Sequence, residues 1–247
     1  MIEVSSALSE SVEDRIDYFL SEAEAGRLKK ARAGVEELQD AHPEASTVHF
    51  ARGVIHVYEE AHEAALDAFD RVIELDPEMA EAWLNKAAAH RKLEESVPTI
   101  RALQKVVELT PPDDELHERA RGQLDRMDAT LREHEGMTPE AFVDAETLFF
   151  QALNHYENDE PAEAIQIIKD NPDRMPENER TLTLLGNCHR RLKEWDLARD
   201  ALEEALSINP DHGTARLALT MLNADEKGMD LGEMFSETLK KIQAEEG

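Results

Sequence analysis

Prolines recur at a fixed interval in this chain: Pro43, Pro77 and Pro111 stand 34 residues apart, and Pro176 and Pro210 repeat the same step. Self-similarity at such a period is the signature of a repeat architecture rather than of a single globular core. The interval frames five units, 12–45, 46–79, 80–113, 145–178 and 179–212. Each reads as a pair of short amphipathic helices that cannot bury both apolar faces alone, so that stacking of neighbours must supply the missing core.

The pattern inside the frame supports this. Position 8 is small in four units (Gly53, Ala87, Ala152, Gly186) and Phe19 in the first. Position 20 is small at Ala31, Ala65, Ala164 and Ala198, and Thr99 in the third. Small residues at both positions let two helices approach closely. Position 24 is apolar throughout (Val35, Phe69, Leu103, Ile168, Leu202), and position 27 in four units (Leu38, Val72, Val106, Ala205). These give the second helix a buried stripe at helical spacing, and the proline falls just past its end, where it cannot continue the helix. With ten Gly, ten Pro and 5% aromatic residues, the composition also points to helices, and the fold class is all-α. Ser11, ahead of Val12, Glu13 and Asp14, reads as the cap of the first helix.

These positions resemble the tetratricopeptide repeat family: an aromatic at position 4 (Trp83), small residues at 8 and 20, a bulky residue at 17 (Leu28, Trp195) and proline at 32. Arg15, His49, Leu148 and Leu182 stand where Trp83 stands, and Asn171 occupies position 27 of its unit. The resemblance covers about two thirds of the chain. It implies a right-handed superhelical stack of antiparallel helix pairs with a concave face.

The regularity breaks at 114–144, which is 31 residues long and lacks the small-residue pair. Leu116, Ala120, Leu124, Met127 and Leu131 keep one face apolar, so a single long helix is expected over 114–134, stopped by Gly136, with Thr138 and Pro139 opening another long helix. The expected organisation is three repeats in 1–113, an irregular helix and connection in 114–144, two repeats in 145–212, and capping helices in 213–247. The last of these includes an amphipathic stretch at 230–244 with Leu231, Met234, Phe235, Leu239 and Ile242 on one side. An odd helix between the blocks would reverse the up-down phase and make two blocks rather than one uniform spiral.

There are 55 Asp plus Glu against 27 Lys plus Arg, a formal charge of −28. Such a charge argues against nucleic acid or anionic lipid as a partner, because both are bound through Lys and Arg. One cysteine, Cys188, allows no intramolecular disulfide, and the first residues carry no basic, apolar leader, so the expected compartment is the cytoplasm. No apolar run is long enough to insert in a membrane.

Four histidines, His56, His90, His155 and His189, share position 11. A metal site is one reading of this column, but equivalent residues of successive repeats stand about 10 Å apart, too far to share one ion at ~2 Å. Packing between helices accounts for them better. Cys188 reads as a small buried hydrophobe rather than a reactive thiol. No metalloprotease helix, phosphate-binding glycine loop or nucleophile elbow is present in the sequence, so no enzyme activity, cofactor or metal is expected.

In proteins of the family the inner surface is formed by positions 2, 5, 9, 12 and 13 of the first helix. Here these include Ile16, Leu20, Phe50, Val54, Val57, Leu84, Phe149, Leu153, Tyr156 and Asn187, with basic pairs Arg91 and Lys92, and Arg190 and Arg191. The charge is uneven: 46–79 and 145–178 each hold eight acids and two bases, whereas 80–113 holds five of each. The expected function is a non-enzymatic adaptor whose mostly apolar groove, with basic spots, binds a peptide or helix of a partner protein. An alternative is a homo-oligomer assembled through 230–244. A weaker one is a metal- or redox-linked role of the histidine column and Cys188.

Overall fold

The computed structural model describes residues 11–229 and Gly232, and the regular structure among them is helical throughout. Twelve helices follow in order: α1 (Val12–Glu24), α2 (Leu28–Ala41), α3 (Ser46–Tyr58), α4 (His62–Leu75), α5 (Ala80–Lys92), α6 (Ser96–Leu109), α7 (Glu115–His134), α8 (Pro139–Glu157), α9 (Pro161–Asp170), α10 (Glu179–Arg191), α11 (Trp195–Ile208) and α12 (Gly213–Lys227). The chain divides into two compact units at Pro139 and Glu140.

In the first unit α1 and α2, α3 and α4, and α5 and α6 form hairpins that stack in sequence, and α7 packs on α6 and α5. The stripe at positions 24 and 27 is the core: Val35, Leu38, Phe69, Val72, Leu103 and Val106 are all at most 1% exposed. Burying side chains of this size contributes roughly 1.5–3 kcal/mol each. α7 keeps only Ala120 and Leu124 fully inside. Asp114 caps it, its side chain accepting from Leu116 N at 2.7 Å.

In the second unit α9 and α11 each pack on α10, and α12 covers α11 and α10. Ala218 and Leu222 of α12 close over Ala198 and Leu202. α12 runs four residues beyond the expected end near Asn223, because its left-handed cap is Gly228 (φ 64°). The amphipathic stretch expected at 230–244 lies outside the described residues.

Three local devices explain the repeat pattern. The first is close helix approach. A Cβ added at Gly53 would lie 2.5 Å from the Phe69 ring, and one at Gly186 would lie 2.6 Å from Leu202 Cγ. In the first repeat the fit is exchanged: Phe19 is the large residue at position 8, and Gly34 at position 23 receives it, with a Cβ there only 2.0 Å from the ring. Thr99, the exception at position 20, is 1% exposed, and its hydroxyl donates to Glu95 O at 2.7 Å, so no polar atom is left unpaired.

The second device is the turn between paired helices. Position 15 takes the left-handed conformation in all five repeats, at Gly26, Glu60, Glu94, Asp159 and Lys193, with φ between 58° and 76°. The position 16 amide then donates back to the position 11 carbonyl, as in Glu95 N to His90 O at 3.0 Å.

The third device ties the side chains of those same two positions. His90 Nδ1 lies 2.6 Å from Glu95 Oε2, His155 Nδ1 2.7 Å from Glu160 Oε2, and His189 Nδ1 2.5 Å from Glu194 Oε2. His56, opposite Ala61 at position 16, turns instead to Glu59 at 3.2 Å. Three of the four histidines of the column thus close the turn of their own repeat.

Candidate partner-binding site

Position 5 of α1 and α3 and position 9 of α1 face the same side because residues four apart lie above one another on a helix. In the first unit they open on a groove of about 350 Å³ that runs across α1 and α3 to the start of α5. Ile16, Leu20, Phe50 and Met79 supply its apolar surface, and Glu13, Asp17, Thr47 and Glu81 its polar lining. Ile16 is 7% exposed and anchored in the core below, whereas Leu20 and Phe50 are half-buried. The Phe50 ring is held 5.9 Å from that of Phe69. The floor is therefore rigid on one side and open on the other.

The remaining candidates divide among other environments. Val54 and Val57 are half-buried on α3 but do not line this groove, and Leu84, 6% exposed, is core. In the second unit Phe149, Leu153 and Tyr156 pack against Ala152, Ala164, Ile165, Leu184 and Cys188. Arg180 lies 4.3 Å over the Phe149 ring and Arg191 3.8 Å over the Tyr156 ring. Arg190 is bonded to Asp225, and Arg191 to Asp159 at 3.3 Å. Asn187 is half-buried on α10.

The other basic pair is placed differently. Arg91 and Lys92 are exposed and form no ion pair among the described residues. Arg91 lines a second cleft of about 520 Å³ together with Ser96, Gln123, Arg126, Met127, Thr130 and Leu131. Arg126 has no carboxylate partner among the described residues either, so this cleft is lined by two cations and no acid. The periodic frame did not reveal it, because α7 lies outside the repeats and Arg126 has no counterpart in them.

Two groups have displaced acidities. Glu22, only 7% exposed at its side chain, is held down to about 2 by hydrogen bonds from Arg27, against the opposing effect of burial, with Lys30 adding to the lowering. The Cys188 thiol is pushed up to about 12 by burial, slightly offset by Arg191. A thiol so displaced stays protonated and weakly nucleophilic at neutral pH. Among the described residues no group of three or more His, Cys, Asp or Glu is arranged to hold a metal ion. No helix among them is long and apolar enough to cross a membrane.

His49 shows what stands in for the repeat's aromatic. Trp83 Nε1 donates to Pro77 O at 3.0 Å, which ties position 4 to the preceding proline turn. His49 Nε2 makes the same link to Pro43 O at 2.7 Å.

A model of the tetratricopeptide repeat matches residues 19–79 and 57–113, from within α1 to the end of the third hairpin. The chain is a tetratricopeptide repeat protein. A second family model, described as anaphase-promoting complex, cyclosome, subunit 3, matches residues 139–205. Solved structures similar to this tetratricopeptide repeat protein include YrrB, described as a TPR protein with an unusual peptide-binding site. It is 18% identical over 84% of this chain and 91% of that one, with a TM-score of 0.39. The TPR2AB-domain:pHSP90-complex of yeast Sti1 matches at 17% identity over 87% of this chain and 86% of that one, TM-score 0.38. The pilF protein of Pseudomonas aeruginosa is 13% identical over 93% of this chain and 90% of that one, TM-score 0.38. No relative among curated proteins matches this tetratricopeptide repeat protein.

Proposed function

We propose that this tetratricopeptide repeat protein is a non-enzymatic scaffold that binds a peptide or helix of a partner protein in the groove of α1, α3 and α5. The observation that carries the reading is the convergence of Ile16 and Leu20 of α1, Phe50 of α3 and Met79, the cap residue of α5, on one open apolar surface. An apolar surface left open in a chain of this charge calls for a covering partner. Under this reading the repeats at 12–45, 46–79 and 80–113 form the recognition block, and those at 145–178 and 179–212 form a second block.

The test uses the full chain, immobilised, with partners captured from the native host and then purified. Leu20→Glu and Phe50→Glu should abolish retention of the purified partner while leaving helicity and melting temperature unchanged. Leu217→Glu, at a side chain 53% exposed on α12, is the control and should change nothing. Retention that survives both groove substitutions overturns the assignment.

A further inference from the structure

We infer that the partner of the α1, α3 and α5 groove is a cationic amphipathic segment, its apolar residues on the groove floor and its lysines or arginines on the rim. This rests on the reading of the groove as the partner-binding surface and adds the chemistry of what fills it.

The rim decides the charge. Glu13, Asp17 and Glu81 surround the floor, and no Lys, Arg or His is part of the lining. None of the three carboxylates forms an ion pair or a side-chain hydrogen bond among the described residues. Some acids elsewhere in this unit are partnered, such as Glu37 with Arg15, Glu44 and Glu74 with Arg71, Asp70 with Lys86, and Glu22 with both Arg27 and Lys30; others are not, and what sets Glu13, Asp17 and Glu81 apart is that they ring an open apolar floor. The groove is thus a place where negative charge and open apolar surface coincide without internal compensation.

The energetics of covering it favour one occupant. A neutral apolar segment would strip water from three exposed carboxylates and return nothing for it. An acidic segment adds repulsion to that cost. A segment with basic residues flanking its apolar ones meets both surfaces at once. The floor spans three helices packed about 10 Å apart, so a helical segment of about 12 residues, at ~1.5 Å per residue, reaches across it.

The test measures binding of two labelled peptides of about 12 residues to the full chain by fluorescence anisotropy, one of leucine and lysine and one with glutamate in place of lysine. The leucine–lysine peptide should bind and the leucine–glutamate peptide should not. The triple variant Glu13→Gln, Asp17→Asn, Glu81→Gln should weaken binding about tenfold, as expected for three rim charges of about 0.5 kcal/mol each. Asp200→Asn, Glu203→Gln, Glu204→Gln, which removes the same charge from exposed positions on α11, should leave it within about twofold. Phe50→Ala and Leu20→Ala report on the floor. If the two triple variants weaken binding equally while Phe50→Ala and Leu20→Ala abolish it, the groove stands and its cationic specificity falls. If neither floor substitution changes binding, the groove reading itself falls. Binding of the leucine–glutamate peptide at comparable strength also overturns the charge assignment.

Discussion

Glu22 accepts hydrogen bonds from Arg27 at 2.6 and 2.8 Å, and this pair occupies the same two repeat positions as His90 and Glu95 with the places of acid and base exchanged. The first repeat therefore closes its turn with the acid on the first helix, whereas the third, fourth and fifth put the acid at the start of the second. The same backbone geometry accepts either order, because the left-handed residue at position 15 brings the two side chains together regardless of which helix supplies the acid.

The exchanged pair gives the first hairpin a distinct acid response. The folded carboxyl of Glu22 sits near 2, below its ordinary 4.5, so the pair contributes stability that is complete above about 4.5 and lost as pH falls toward 2. Melting temperatures of the protein and of Glu22→Gln should differ most at neutral pH and converge across that window. A difference that stays constant down to pH 2 contradicts the assignment.

Gly53→Ala should destabilise the protein by about 1–3 kcal/mol, since the new methyl meets the Phe69 ring at 2.5 Å in a packed core. Denaturant titration measures this. Adding Phe69→Leu should recover part of the loss, because the smaller side chain vacates the contact.

At the turns the two kinds of position 15 residue should respond in opposite directions. Gly26→Ala places a Cβ at φ 76° and should cost about 1 kcal/mol. Lys193→Gly relieves φ 62° at an exposed site and should stabilise by roughly 0.5 kcal/mol after the added freedom of the unfolded chain is counted. Chemical denaturation of the two variants side by side gives the comparison.

Cys188 is fully buried, with its thiol held near 12 by burial. A chromogenic disulfide reagent at pH 8 should label less than a tenth of the native protein over the time in which it labels the unfolded protein completely. Rapid labelling of the native state contradicts the packing around α10.

The helices and their stacking were legible because each rests on spacing, and spacing survives in one dimension. The first repeat looked irregular only because Phe19 was compared with other residues at position 8. Its compensating partner, Gly34, stands fifteen residues further on, at a position that is alanine in three of the other four repeats (Ala68, Ala102, Ala201), so a glycine there did not stand out. His49 looked like a departure because its identity differs from Trp83, although its ring nitrogen serves the same carbonyl link. The groove was partly legible: Ile16, Leu20 and Phe50 converge, but the same positions in later repeats, Leu84, Phe149 and Leu153, are drawn into local cores. The pairing of Arg190 with Asp225 was hidden because it joins α10 to α12 across 35 residues, far beyond the reach of helical spacing. Asp17 was overlooked because position 6 of the repeat was not counted among the inner positions, and Glu13 and Glu81, both at position 2, were overlooked because only the apolar and basic inner residues were weighed.

The exchange of Phe19 and Gly34 also governs how such a chain can be recombined. A crossover that joined α1 to α4 would drive the Phe19 and Phe69 rings into one socket, and one that joined α3 to α2 would leave Gly53 facing Gly34 across an empty one. The second and fifth hairpins, each with glycine at position 8 and a large residue at 24, share an orientation of fit and are candidates for shuffling among themselves. The first hairpin can be grafted only whole, so the seam at which this solenoid tolerates gain or loss of repeats lies after α2.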